Sequence, residues 1–466
     1  VGTNDGALRM INSSTGAEEW VFIPNEMLSQ QYALSQGADG NHVIGLDGVP
    51  SFWTQDINND GIIDPSVGDK MYMFIGMRRG GRNIYAFDIT PATTKMTSQN
   101  DTVTPKLMWV IQGGSGSYAK LGQTWSRPII ARIRYTCSSS ECDDANPNTD
   151  DTKSRTVLLF GGGYDTNQDN GIPAGADSMG DAIFMADPFT GSRLWWAGSD
   201  SGANLVLSDM QYSIPSDLTV IDTDGDGRMD RLYVGDTGGQ LWRVDLATNI
   251  ATGTNGSTAG YVFADAVCAR DVSNVRDCSG VSNQGRRKFF YPPDVAPVED
   301  TLFSANPLYD LVSIVSGDRE DPLDMLTTNL SPVEEAVHNR IYAFRDIDYK
   351  KGAPSTARNA ITDTDMYDAT SNTLGTLTGT ALQTEINTNF KTKKGWYINL
   401  KESSDLTLPN GLTTSWVGEK GLAKTTIFEG VLNVTTFTPS NDTTAAATCA
   451  ASEGQAKVYA LNYLDG

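Results

Sequence analysis

Short runs of alternating apolar and polar residues recur along the chain, and six of them end alike. LRMINSSTG from Leu8, IYAFDIT from Ile84, IFMADPFTG from Ile183, LWRVDLATN from Leu241, IYAFRDID from Ile341 and VYALNYLDG from Val458 each run to an Asp or Asn, often followed by a turn. Alternation with a period of two is what a strand needs when its two faces meet different neighbours. The closing Asp or Asn can accept from the backbone of the turn, and Gly supplies positive φ. Upstream lies a second apolar run ending in Gly: MYMFIG, VLLFGG, RLYVGD and DLVSIVSG. Further upstream sit Pro-led segments such as WSRPIIARI and PSDLTVIDTD, and a Trp-bearing segment (EEWVFIP, LMWVIQG, RLWWAG) follows the third run. Each unit therefore reads as about four antiparallel strands, and its repetition predicts an all-β fold, a β-propeller of about six or seven irregular four-stranded blades. Six copies exceed what one sandwich normally needs.

The copies are unevenly spaced, which places long insertions around residues 25–68, 136–153, 265–290, 318–338 and 352–394. Long loops on a rigid scaffold are where function concentrates. The chain opens in VGTNDGALRMIN, already inside a structural unit and without a signal peptide. Residues 1–466 are thus expected to be one propeller domain, a fragment of a longer exported protein.

Charge narrows the partners. The formal net charge is −22. That argues against non-specific nucleic-acid binding, which needs Lys and Arg on phosphates, and against docking on anionic lipid. No apolar run is long enough for a membrane-spanning segment. Of the five cysteines, Cys137 and Cys142 bracket CSSSEC, and Cys268 and Cys278 bracket a polar loop. Two small disulfide staples, Cys137–Cys142 and Cys268–Cys278, are the natural reading and imply an oxidising compartment. Cys449 has no evident partner.

DTDGDGRMD, Asp222 to Asp230, concentrates four carboxylates between two strand-like flanks. Asp222, Asp224 and Asp226 stand at positions 1, 3 and 5 of a calcium-type loop, with Gly227 at the sharp turn of position 6. Arg228 at position 7 would offer its backbone carbonyl, its side chain pointing away, and Asp230 falls at position 9. Position 12 is Tyr233, so the distal glutamate of a helix–loop–helix site is missing. Calcium suits such a loop because it is a hard cation taking six to eight oxygens in flexible geometry. DINNDGIID repeats the spacing with Asp56, Asn58, Asp60, the Ile62 carbonyl and Asp64; with one carboxylate fewer, it should bind calcium more weakly.

Enzyme chemistry is thin. The chain has two histidines, His42 and His338. It has no G-x-S-x-G elbow, no Walker P-loop and no H-E-x-x-H motif. A non-enzymatic role is expected, with no catalytic residue.

The order of VGTNDGALRMINSSTGAEEWVFIP, GGRNIYAFDIT, LGQTWSRPII, DTDGDGRMDRLYVGDTGGQLWRVDL, YDLVSIVSGDREDPL, NRIYAFRD, KGWYINL and TTFTPSND resembles that of the PilY-type family, bacterial type IV pilus-tip adhesin and biogenesis proteins. The likeness covers nearly the whole chain and is to the C-terminal propeller domain. It implies a protein of the bacterial surface and pilus tip, exported through the periplasm and outer membrane. It further implies contact with minor pilins, and adhesion to host or abiotic surfaces through a separate N-terminal region. Calcium at Asp222, Asp224, Asp226, Arg228 and Asp230 would tune pilus extension against retraction, and hence twitching motility. The Asp56–Asp64 loop departs from the family pattern. The TG-x-x-x-W pieces, DPFTGSRLW from Asp187 above all, also resemble quinoprotein dehydrogenase repeats, which bind pyrroloquinoline quinone. A quinoprotein-like enzyme is the alternative, and a carbohydrate-binding propeller the third reading.

Overall fold

A computed structural model describes residues 1–3, 5–36, 44–91, 104–135, 154–170, 176–246, 258–322, 336–350, 358–403, 405–407, 413–439 and 454–466. The fold is all-β and of the β-propeller type, with a few short helices. The chain divides into two compact units, one built mainly from residues 1–166 and 176–218, the other mainly from 219–247 and 257–466.

In the first unit, Leu8–Ile11 pairs with Glu18–Phe22. A four-stranded antiparallel sheet follows, in the order Ser51–Gln55, Lys70–Gly76, Ile84–Asp88 and Lys106–Ile111. The next sheet runs Ile129–Arg134, Ser154–Gly161, Ala182–Ala186 and Arg193–Gly198. The two sheets face each other: Phe74, Ile84 and Ala86 of one share a core with Phe160, Ala182 and Phe184 of the other. In the second unit, Thr219–Ile221, Arg231–Gly235, Gln240–Asp245 and Ala259–Asp265 form one sheet. Asp294–Glu299, Leu308–Val315, Arg340–Asp346 and Gly395–Asn399 form a second, and the third centres on Val431–Thr438 and Gln455–Asn462. Tyr233, Leu241 and Phe263 pack on Val312, Ile314 and Phe344, while Tyr309 and Ile341 pack towards Leu432 and Val434.

Three sheets carry a fifth, short, parallel strand at the outer edge rather than ending at four. Leu205–Val206 pairs with Arg193–Gly198, Ile361–Thr362 with Ala259–Asp265 and Tyr367–Asp368 with Gly395–Asn399. Two of these come from the 352–394 stretch expected as a loop insertion. An outer strand leaves a row of unpaired backbone groups, and a returning segment satisfies part of it. Likewise the 25–68 stretch is not wholly an insertion, because Ser51–Gln55 is the first strand of its sheet. In 265–290, Ala269–Arg270 and Arg276–Asp277 pair beside the Cys268–Cys278 disulfide, whose Cα atoms are 4.7 Å apart. Cys137, Cys142, Cys449 and His42 lie outside the described residues.

The recurrent Gly at the end of each second strand has a packing cause. A Cβ on Gly76 would stand 2.8 Å from the Thr124 carbonyl oxygen, on Gly161 2.6 Å from that of Ile214, and on Gly235 2.4 Å from Phe289 Cβ. Thr124, Ile214 and Phe289 each lie five residues before a strand start, at Ile129, Thr219 and Asp294. The Pro-led segment is thus a strap laid across the end of the preceding sheet. Its carbonyls are used as well: Ser51 Oγ donates to Pro128 O and Thr219 Oγ1 to Pro293 O.

One set of charges is buried inside the second unit. Asp310 and Asp346 stand opposite each other on neighbouring strands, a like-charge pair that would be destabilising alone. Arg231 and Arg243, both fully buried, answer them from the facing sheet. Arg231 Nη1 donates to Asp310 at 3.2 Å and its Nε to Asp245 at 2.7 Å. Arg243 Nη1 donates to Asp346 at 2.6 Å, and Tyr233 Oη donates to the same carboxylate. Three carboxylates share two guanidinium groups. Burial, with Asp346 adding to it and Arg231 opposing it, pushes Asp310 up from 3.8 to about 6.

Two predictions follow from packing and charge. Gly235→Ala should lower unfolding free energy by about 1–3 kcal/mol, because Phe289 Cβ belongs to the strap and cannot swing away; urea denaturation measures it. For Asp310, the folded state holds the proton more tightly than the unfolded state. Its stabilising contribution is therefore present at low pH and is lost as pH rises from 3.8 to about 6. Asp310→Asn should make the stability-versus-pH slope more positive across that window; an unchanged slope would show that Asp310 titrates normally.

Candidate metal-binding loops

The Asp222–Asp230 loop joins the first strand of its sheet, Thr219–Ile221, to the second, Arg231–Gly235. Asp222 organises it. Its Oδ1 accepts from the backbone N–H of Asp224 at 3.3 Å, Gly225 at 2.7 Å and Asp226 at 3.2 Å, and its Oδ2 from Gly227 at 2.7 Å. Asp226 Oδ1 in turn accepts from Arg228 N at 2.9 Å. Gly225 and Gly227 have φ of +76° and +81°, a region costly for side chains with a Cβ. The backbone curls so that Asp222, Asp224 and Asp226 converge, with one oxygen of each within 4.8 Å of the others. At that separation two carboxylates repel by about 1 kcal/mol even at the dielectric constant of water.

Two residues are placed differently from the sequence expectation. Arg228 does not point away: its Nη1 stands 3.7 Å from Asp226 Oδ2, a partial counter-charge. Asp230 is outside the converging trio. It is buried, and its Oδ2 accepts from Thr223 N at 3.1 Å and Thr223 Oγ1 at 3.0 Å, tying the loop's entry to its exit.

The Asp56–Asp64 loop repeats this wiring in the other unit, again between the first strand of a sheet, Ser51–Gln55, and the second, Lys70–Gly76. Asp56 accepts from Asp60 N at 3.3 Å and Gly61 N at 2.7 Å, and Asp60 accepts from Ile62 N at 2.8 Å. Asn59 and Gly61 hold the positive φ values, +56° and +77°. The acid content differs. Asn58 spends its amide on Asp60 Oδ2 at 3.1 Å, and Asp64 accepts from Ser66 N and Oγ, capping the Pro65–Val67 turn. The tie made by Asp230 in the first loop is made here by Asp69. Fully buried, Asp69 accepts from Ile57 N and Asp64 N, both at 2.9 Å. Sequence spacing missed Asp69 because it lies beyond a one-turn helix, outside the nine-residue pattern.

Hard oxygen donors converging on an irregular loop fit calcium chemically at Asp222, Asp224 and Asp226, with the Arg228 carbonyl following in the chain. Asp56 and Asp60 offer a poorer set. His338 enters the Arg340–Asp346 strand stacked on Trp416, ring centroids 3.9 Å apart.

No family model matches the chain. It is 28% identical over 255 residues to the type IV pilus biogenesis factor PilY1 of Pseudomonas aeruginosa strain UCBPP-PA14, a match covering 53% of this chain and 17% of that protein. It is 24% identical over 250 residues to a PilY1 homolog of Xylella fastidiosa, covering 53% of this chain and 14% of the relative. The matched region is therefore a small part of these relatives' length. In structure, the crystallised C-terminal domain of Pseudomonas aeruginosa PilY1 superposes with a TM-score of 0.56 and 17% identity, over 100% of this chain and 78% of that one.

Removing Asp69 should leave two backbone donors beneath the second loop without their acceptor, at about 1–3 kcal/mol. In Asp69→Ala, amide exchange at Ile57 and Asp64 is expected to rise about tenfold or more, with the Asp222 loop unchanged. Unaltered exchange would show that Asp69 does not hold the loop.

Proposed function

The chain is of the PilY type, with the fold of the PilY1 C-terminal domain, and from that premise we propose that it serves type IV pilus biogenesis as a calcium-responsive module rather than by turning over a substrate. The observation that carries the calcium part is the convergence of Asp222, Asp224 and Asp226 within 4.8 Å on a loop whose backbone is already curled. Asp222, Asp224, Asp226 and the Arg228 carbonyl would hold the ion, and Asp230 would fix the base of the loop. Bound calcium supplies the positive charge that Arg228 offers only partially. Without it the three carboxylates repel, and the loop between the two strands loosens. Only a difference between the two loop states can bias anything attached to the module. The Asp56 loop would bind more weakly.

The type IV pilus setting is what the PilY1 relatives are named for; minor pilins and the tip complex as partners, adhesion through a further region and a place at the bacterial surface are what the resemblance to the PilY-type family adds to the same proposal. Affinity should fall in the range of ~10⁻⁷–10⁻³ M spanned by sensor and extracellular sites.

Asp→Asn changes are the cleanest test, because they keep shape and remove charge. Asp224→Asn/Asp226→Asn should abolish the stronger calorimetric calcium signal and the calcium-dependent rise in melting temperature, while the metal-free fold persists. Calcium binding equal to that of the parent would sink the site. In the parent bacterium, the same double variant should alter surface piliation and twitching. Normal piliation and motility would sink the switch while leaving the calorimetric result standing.

A further inference from the structure

The second unit contains a cavity of about 510 Å³, away from either aspartate loop in its lining. Tyr261 and Phe263 form an aromatic wall, with Ile347 and Ile361 adding aliphatic surface. Around them stand Arg345, Arg358, Lys391, Lys393 and Lys394. So many cations at one cavity are unexpected in a chain with a formal net charge of −22.

Their partners show which charges are already answered. Arg358 grips Asp348 through two bonds of 2.7 and 2.8 Å, and Lys394 stands 3.3 Å from Asp365. Asp346, also in the lining, is engaged by Arg243. Lys391 and Lys393 meet only backbone carbonyls, Thr301 O at 3.2 Å and Thr364 O at 2.8 Å. Arg345 is 3% exposed. Its Nη1 donates to Lys393 O at 3.0 Å, its guanidinium lies over the Phe390 ring at 4.7 Å, and its Nε and Nη2 have no hydrogen-bond partner. None of these three cations forms an ion pair with a described residue. Asp300, held by Tyr309 Oη at 3.1 Å, acts on this guanidinium only from beyond ion-pair distance, so its burial stays costly and lowers its proton affinity. An anion in the adjoining cavity would offset that cost.

We propose that this cavity binds a small organic anion, a carboxylate on an apolar or aromatic body, with the charge drawn towards Lys391, Lys393 and Arg345 and the body against Tyr261 and Phe263. The volume lies within the range of small-molecule sites, which pair apolar walls with a few placed polar groups. A bare inorganic anion would leave the aromatic wall unused, and a neutral aromatic would leave Lys391 and Lys393 without a counter-charge.

Benzoate, benzamide and sulfate separate these cases on the whole chain by ligand-observed NMR titration. Benzoate should bind saturably, benzamide and sulfate far more weakly, and added salt should weaken benzoate but not benzamide. Lys391→Gln/Lys393→Gln, at positions that are not core, should reduce benzoate affinity by about fivefold, two partly screened contacts' worth. Arg345→Met should reduce it further if the variant folds; the lysine pair decides the matter if it does not. Equal binding of benzoate and benzamide, equal binding of sulfate, no saturable benzoate binding, or an unchanged affinity in the folded lysine variant would each overturn the proposal.

Discussion

An antiparallel sheet covered on both faces has no solvent side on which to place its polar residues. That constraint governs most of this molecule. Arg231–Gly235, Gln240–Asp245 and Ala182–Ala186 are buried at every residue. Whatever charge such strands carry must be answered from the sheet facing them, and whatever volume they present must be matched there. The Arg231, Arg243, Asp245, Asp310 and Asp346 set meets the first demand within the second unit. Replacing such a set by apolar side chains is often no less stable, so its use points to choice of neighbour. The two facing aspartates are matched by two arginines that the partner sheet brings into register.

The volume demand explains the glycines. Gly76, Gly161 and Gly235 are not at left-handed positions; they are places where a strap passes too close for a Cβ. Sequence showed the repeat of Gly-ended strands and Pro-led segments clearly, because both are local and periodic. It could not show that one explains the other, since they belong to successive units of the repeat. The short parallel strands, Ile361–Thr362 and Tyr367–Asp368, were illegible for a related reason. Two residues carry no periodicity, and their pairing depends on an edge supplied by a distant part of the chain.

The same division runs through the metal-binding loops. The positions of Asp222, Asp224 and Asp226 were legible, because spacing within a tight loop dictates which side chains converge. The fates of Asp230 and Arg228 were not, since both depend on what else competes for them. Thr223 takes Asp230, and Asp226 takes Arg228. Asp69 shows the reverse case: a residue outside any motif performs the task that Asp230 performs inside one. Spacing reports donor sets well and their anchorage poorly.

The strap also settles where one repeat gives way to the next. A boundary drawn ahead of the strap, before Thr124 or Phe289, would leave the strap with the following sheet while its contacts lie on the preceding one. Each sheet is finished by residues that the sequence repeat assigns to its successor. Dissection of this chain, by truncation, graft or exchange between relatives, should therefore cut after the strap, at the strand that follows it. An exchange made ahead of the strap would pair a glycine cleft from one protein with a strap shaped for another.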